Sequence, residues 1–347
     1  VGRAEEVVSM LPQHRDVIVV GASAGGVEAL RTLIAGVPGD LAAAIAVVLH
    51  MPAGGTSALP QILRRFGNLP TVTASNGAPL RPGTVYVARP DHHLVLIDDE
   101  VALSHGPTEN GHRPAINALF RSAALSLGPR VIGVLLSGVL DDGVAGLVAI
   151  KAQGGLVVVQ DPADALYPGM PENAIRNVAA DYVLPAAEIG PLLGTLTKEN
   201  SVEPASSPSS LLRLENEIAR DQRTSTDYQA NGVGVSSGLT CPDCQGVLSE
   251  LTSADGRYRC RVGHAWSVEA LLEAQGGVFE RALWTALRSL DEKRNLAERM
   301  CRDARQRGNE RLVERYQQMA DEARQAAGVL RAHLTGLPAS PEPTGDG

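Results

Sequence analysis

The sequence predicts an α/β protein: a doubly wound, mostly parallel sheet with helices on both faces, followed by a small Cys/His cluster and an α-helical hairpin. Three observations carry this. Short Val- and Ile-rich runs alternate with amphipathic stretches through the first two hundred residues, three Cys and one His crowd into residues 241–264, and an apolar repeat of three to four residues follows Val268.

The expected strands are Val17–Val20, Ala44–Leu49, Thr84–Val87, Val131–Leu136, Leu156–Gln160 and Tyr182–Leu184. Several are apolar without alternation, as strands covered on both faces require. Helical spacing or helix-entry signals mark Val27–Ile34, Ser57–Arg65, Ala115–Leu125, Ala145–Gln153 and Pro171–Asn177. Leu94–Leu96 and Glu100–Ser104, joined through Asp98 and Asp99, read as an inserted hairpin. The domain plan is an α/β domain over 14–197, a flexible linker over 198–238 with a short helix-like stretch at Leu211–Ala219, a zinc-binding knuckle over 239–266, a helical hairpin over 267–336 broken at Arg307, Gly308 and Asn309, and a disordered tail over 337–347.

The composition bounds the function. The chain has 347 residues, 44% apolar, with a net charge of −8, enough for two folded units or one large unit with an appendage. Residues 265–336 carry 12 Lys and Arg against 11 Asp and Glu, so neither the whole chain nor its helical part offers the basic face of a nucleic-acid reader. The longest apolar run, Leu41–Leu49, is far below the roughly 20 residues of a membrane span. Residues 1–13 lack an export pattern, which makes the cytoplasm the expected location. There, Cys residues are more often metal ligands or free thiols than disulfides.

Gly21-Ala22-Ser23-Ala24-Gly25-Gly26 follows the first strand and opens a helix. Three readings compete. The hexapeptide can be a glycine-rich turn with a Ser cap. It can be a dinucleotide loop, but the expected acidic residue at the end of the second strand is His50. It can hold a nucleophilic Ser23, with the helix N-terminus supplying free amides for developing negative charge. His50 favours the third, because catalytic groups in open α/β sheets gather at the carboxyl ends of strands. The strand Val131–Leu136 runs into Ser137-Gly138-Val139-Leu140-Asp141-Asp142-Gly143, whose acids can cap a helix, bind a metal or orient an imidazole. The order Ser, His, Asp differs from that of ordinary α/β-hydrolases.

With these pieces in order, the chain resembles the catalytic domain of the chemotaxis protein-glutamate methylesterases, the CheB-like family. The resemblance runs from Arg15 to Leu193 and rests on Gly21–Gly26, Leu49-His50-Met51-Pro52, Val85–Leu94, Gly111-His112-Arg113-Pro114, Gly138–Gly146 and Gly155–Pro171. It implies Ser23 as nucleophile, His50 as general base and acid, and Asp142 as the acid that orients the imidazole. Backbone amides at Ala24 and Val139 would stabilise the oxyanion. Arg113 would dock a receptor carboxylate or form a structural salt bridge, and His92, His93 and His112 are expected to be structural or substrate-facing. Where the family's acidic loop reads Gly-Met-Gly-x-Asp-Gly, Leu140 replaces a Gly, which bears on the local backbone and on the Val139 amide.

The resemblance further implies hydrolysis of glutamate methyl esters on chemoreceptor-type proteins, with glutamine deamidation as a secondary reaction and no cofactor for catalysis. Methyl-accepting receptors or another methylated protein would be the partners, along with a receptor methyltransferase. Because the esterase begins within the first twenty residues, a free-standing member without its own receiver domain is expected. The alternatives are a catalytically weak or inactive scaffold in a chemosensory complex and an esterase or amidase acting on a small molecule.

Cys241-Pro242-Asp243-Cys244 and Cys260-Arg261-Val262-Gly263-His264 pair a C-x-x-C with a C-x-x-x-H after fifteen residues. That spacing lets two turns supply three thiolates and an imidazole to a closed, structural zinc site. The fourth Cys, Cys301, falls on the apolar side of the helical pair and is expected in its core.

Overall fold

A computed structural model describes residues 14–200, 207–221, 234–251 and 256–336. The expected tail over 337–347 lies outside them. Two compact units emerge, one ending at Leu271 and the other starting at Leu272.

In the first unit the chain runs β1 (Val17–Ala22), α1 (Gly26–Gly36), β2 (Ala44–Leu49), α2 (Leu59–Phe66), β3 (Thr71–Thr73), β4 (Ala78–Pro79), β5 (Val85–Val87), β6 (His93–Ile97) and β7 (Glu100–Ser104). It continues through α3 (Ile116–Leu127), β8 (Val131–Leu135), α4 (Val144–Ala152), β9 (Leu156–Gln160), α5 (Gly169–Asn177), β10 (Tyr182–Leu184) and α6 (Ala186–Leu196). Seven strands form one sheet in the order β10-β9-β8-β1-β2-β5-β3, with parallel pairing between neighbours. β4, β7 and β6 make a small antiparallel sheet containing the expected hairpin.

Period-two alternation explains the uniform apolar strands. Val17 and Val19 face one side, in a core with Leu119, Phe120 and Leu147 of α3 and α4. Ile18 and Val20 face the other, against Leu30 and Leu33 of α1 and Leu193 of α6. Both faces are therefore buried, and each fully covered Leu or Ile contributes about 1.5–3 kcal/mol.

Sequence reasoning missed α6, since it holds Pro191 between Gly190 and Gly194. Those glycines let α6 approach α1: a Cβ on Gly190 would stand 2.5 Å from the Leu33 carbonyl oxygen.

The stretch expected to be a linker contains structure. α7 (Ser210–Ala219) is capped by Ser209, whose Oγ accepts from the Leu212 amide at 3.1 Å. It buries Leu212, Leu214 and Ile218, and the following β11 (Gly234–Thr240) begins within 198–238. β11 joins β12 (Val247–Leu251), β13 (Arg257–Cys260) and β14 (Ala265–Ser267) in an antiparallel sheet. The first compact unit thus includes this sheet rather than ending near residue 197. Apolar burial on α7 and strand pairing hold it there.

The predicted hairpin is α8 (Val268–Gln306) and α9 (Glu310–Thr335). Gly308 turns the chain with φ 67°, and Asn309 Oδ1 caps α9 by accepting from the Leu312 amide at 3.2 Å. Arg331 donates to Asp291 and Arg324 to Glu298, so the helices run antiparallel. Ala297, Ala304, Ala320, Ala323 and Ala327 are buried in the seam. Cys301 is buried there too, its Sγ 3.7 Å from the Val313 carbonyl oxygen, which bears out the core expectation.

Candidate active site

The strand order reverses direction at β1, flanked by β2 on one side and β8 on the other. Each of these strands ends in one predicted site segment, so the crevice at their carboxyl ends collects all three.

After β1 the backbone must bend sharply into α1. Gly25 takes φ 70°, and a Cβ there would stand 2.7 Å from Ser137 Oγ, so only glycine fits. The Ser23 amide donates to the Ser137 carbonyl at 2.9 Å. Ser137 Oγ in turn donates to the Ala24 carbonyl at 2.8 Å and accepts from the Tyr167 amide at 3.0 Å. Ser137 is fully buried and was not singled out in the sequence. A Ser closing an otherwise apolar strand was the available signal.

His50 follows β2 directly, its amide bonded to the Ala22 carbonyl at 3.1 Å. Its ring lies between the two other predicted residues: Nδ1 is 3.0 Å from Ser23 Oγ and Nε2 is 2.7 Å from Asp142 Oδ2. Asp142 Oδ2 also accepts from the Ile116 amide at 2.7 Å, and Oδ1 from the Asn117 amide at 3.2 Å. The carboxylate therefore caps α3, where the helix dipole favours negative charge. Burial alone raises the Asp142 pKa, but the His50 hydrogen bond and charge and the Ile116 amide outweigh it and hold the group below the usual carboxylate value. An ionised Asp142 accepts only, so Nε2 carries the proton and the Nδ1 lone pair faces the Ser23 hydroxyl.

His112 stacks on His50 with ring centroids 3.8 Å apart. Burial lowers its pKa to about 4, helped by the His50 charge and opposed by Asp142, so at neutral pH it is an uncharged plate against the catalytic-type ring. His93 is buried between the Pro107 carbonyl at 2.9 Å and the Ala115 amide at 3.2 Å, and burial first of all lowers its pKa. His92 bonds the Pro90 carbonyl at 3.0 Å and lies against His105.

Two chain segments flank Ser23. Ala24 leads into α1. Opposite it, Gly138 sits so close that a Cβ would be 2.9 Å from Ser23 Cβ, which brings the exposed Val139 to the same rim. Leu140 adopts φ 61°. The backbone thus keeps a conformation natural to glycine although a side chain is present.

Arg113 is occupied within the protein. Nε and Nη2 donate to Asp91 Oδ1 at 2.9 and 2.6 Å, and Nη1 to the His105 and Gly106 carbonyls. Of the two expectations for Arg113, the structure displays the salt bridge. It borders a groove of about 440 Å³ with His50, Met51, Thr108 and His112.

In the Cys/His cluster, the ligand atoms of Cys241, Cys244, Cys260 and His264 lie within 4.8 Å of one another. Cys244 Sγ is 3.6 Å from Cys260 Sγ, and His264 Nδ1 is 3.4 and 3.8 Å from Cys260 and Cys241 Sγ. Zn–S bonds near 2.3 Å and Zn–N near 2.0 Å in a tetrahedron require separations of roughly 3.5–3.8 Å. The donor set fits zinc.

Buried charges tie this cluster to the α/β core. Arg259 donates to Glu109 and Glu215, both at 3.0 Å, Arg121 pairs with Glu109, and Arg257 with Glu215. Burial opposes ionisation of Glu215, but Arg257, Arg121 and Arg259 lower its pKa to about 2. Four of these side chains are at most 2% exposed, a network the sequence did not announce.

Residues 18–193 match the family described as CheB methylesterase. The chain is 40% identical over 179 residues to a Methanosarcina mazei protein-glutamate methylesterase/protein-glutamine glutaminase 2, covering 49% of each chain. It is 42% identical over 183 residues to an Anaeromyxobacter dehalogenans protein of the same description, covering 53% of this chain and 54% of that one. The chain thus spans about half the length of the curated relatives it matches. The crystal structure of the Thermotoga maritima CheB methylesterase catalytic domain is similar with a TM-score of 0.51 and 34% identity, over 52% of this chain and 98% of that one.

Proposed function

Because this chain belongs to the CheB methylesterase family, we propose that it hydrolyses glutamate methyl esters on a chemoreceptor-type protein, using Ser23, His50 and Asp142. The observation that carries this is His50, hydrogen-bonded through one ring nitrogen to Ser23 and through the other to Asp142. Curated relatives described as protein-glutamate methylesterase/protein-glutamine glutaminase support the substrate.

Ser23 Oγ attacks the ester carbonyl as His50 Nδ1 takes its proton, and Asp142 stabilises the resulting imidazolium. The Ala24 and Val139 amides, on the two segments flanking Ser23, receive the oxyanion. Collapse expels methoxide, which leaves as methanol with the proton from His50. Water then attacks the acyl-enzyme with His50 again as base, returning the free hydroxyl and a glutamate carboxylate. On glutamine the leaving group is ammonia, and the reaction is slower. Neutral His112 adds no repelling charge when His50 becomes protonated. Acid, base and nucleophile are all side chains, so the catalytic steps need no cofactor.

Cys241, Cys244, Cys260 and His264 would hold a structural zinc, which when bound supplies a crosslink between two turns. Among the described residues no helix is long and apolar enough to cross a membrane. The reading is of a cytoplasmic enzyme whose partners are methylated receptors and the methyltransferase that modifies them. The φ of 61° at Leu140 supports an active loop over an inactive scaffold.

The test is methanol release from methylated receptor membranes. Ser23→Ala is expected to lose roughly 10⁴-fold or more in rate. Equal release by both proteins overturns the reading, and activity on small acyl esters alone transfers it to a small-molecule substrate.

A further inference from the structure

The residue before Asp142 is gripped directly from outside the matched family region, and the one before that through Asn173. Ser267, at the end of β14, donates through Oγ to Asp141 Oδ1 at 2.6 Å and accepts from the Ala270 amide at 3.2 Å. Two residues on, Glu269 Oε2 accepts from Asn173 Nδ2 at 2.7 Å. The same Asn173 Nδ2 donates to the Leu140 carbonyl at 2.9 Å. Leu140, Asp141 and Asp142 are consecutive, so the third residue meets His50, the second is fastened directly to the segment leaving the Cys/His cluster, and the first is linked to it through Asn173.

A left-handed Leu persists only where its surroundings over-determine the conformation. Here the hold on Leu140 passes through Asn173, whose amide is fixed from two sides: Oδ1 accepts from Arg176 Nη1 at 2.7 Å and Nδ2 donates to Glu269. The family match ends at residue 193, so Asn173 belongs to it, whereas Ser267 and Glu269, which add to its hold, lie in a part of the chain that the match does not cover.

We infer that Ser267 and Glu269 are positioning residues for the esterase, holding the 138–143 loop so that Asp142 and the Val139 amide stay in register with His50 and Ser23. The inference rests on the esterase reading above. Loss of the hold lets the loop relax around Leu140 and displaces Asp142. Since a displacement near 1 Å typically costs about 100-fold in rate, a partial release costs less and acts on kcat, because neither residue lies in the groove beside His50.

The experiment compares the full-length wild type, Ser267→Ala/Glu269→Ala, and the conservative Ser267→Thr/Glu269→Gln, which keeps both the hydroxyl and an acceptor oxygen. For the alanine pair, kcat for methanol release is expected to fall roughly 10- to 100-fold, with KM within about twofold and faster amide exchange over 138–143. The conservative pair restores both. Unchanged kcat or unchanged loop exchange in the alanine pair overturns the inference, as does failure of the conservative pair to rescue. If the alanine pair does not fold, Glu269→Ala alone, at an exposed position, carries the same two measurements. Ser23→Ala separates the two ideas: if it retains full activity the esterase reading fails, whereas loop exchange still decides the hold.

Discussion

The Ser23 rim and the Cys/His cluster are both small constellations of reactive side chains, yet they are assembled in opposite ways. Ser23, His50 and Asp142 come from the ends of three neighbouring strands, with His50 and Asp142 92 positions apart. Only the completed parallel sheet brings them together. The four cluster residues lie within 24 positions, on two turns of one small antiparallel sheet. Geometry at the rim is inherited from a large apolar core, whereas geometry at the cluster rests on four donors and, in the proposed reading, on the zinc they would hold. The first should tolerate loss of the second, apart from what passes through the buried ion network and the contact at Asp141.

The largest expected effect tests this division. Cys260→Ser should reduce bound zinc from one equivalent to none, and amide protection in β13 and β14 should fall roughly 1,000-fold, about 4 kcal/mol. β1, β2 and β8 should keep theirs. Equal loss in both regions by hydrogen exchange would make them one cooperative unit.

Next comes the joint between them. Arg259→Met leaves Glu109 and Glu215 short of a buried cation, and removal of one partner from such a network costs about 3–5 kcal/mol, read as a shifted urea midpoint. A shift under about 1 kcal/mol would mean that the apolar face of α7, not the ions, carries the joint.

Asp141 should give a smaller effect, of opposite sign. Burial first, then Asp142 and Glu269, raise its pKa to about 6 from 3.8, against the lowering influence of Ser267 and Arg257. A raised carboxyl pKa means that the fold binds the proton more tightly than the unfolded chain does. The associated stability is complete below about pH 4 and lost as pH rises through 6. Asp141→Asn should therefore be more stable than wild type by up to about 3 kcal/mol above pH 7, with the difference vanishing below pH 4 in thermal melts. A constant difference across pH would assign the effect to something other than charge.

The smallest is Leu140→Gly. Relief of the left-handed conformation gains about 1–2 kcal/mol, and the added freedom of the unfolded chain costs about 0.5–1. The net is a stabilisation of about 0–1.5 kcal/mol, visible as a small rise in Tm. A loss of stability would show that the Leu140 side chain has packing of its own.

Much of the rim was legible because it sits where local signals are strong. Val- and Ile-rich runs mark the strands, and Gly25, His50 and Asp142 stand at their ends. The fold was legible for the same reason from β1 to β10. α6 escaped because Pro191 and two glycines suppress the helical pattern while serving close packing. α7 read as an interruption in a linker, since Glu215 and Asn216 look like solvent-facing residues until Arg257 and Arg259 are found beside Glu215. Ser267 and Glu269 were illegible in principle: nothing near them in sequence refers to a loop 126 positions earlier. Spacing alone did not separate Asp141 from Asp142; the family resemblance pointed to Asp142, and the fold sends Asp141 to Ser267 and Asp142 to His50.

Strand order also has a temporal consequence. β1 is paired with β2 and with β8, so its second neighbour is translated long after Ser23 and His50 have left the ribosome. On the proposed mechanism, a nascent chain carrying only Ser23 and His50 would lack the carboxylate that orients the imidazole, and the ester-cleaving centre would be complete only once the polypeptide beyond Asp142 has emerged and β8 has slotted in beside β1.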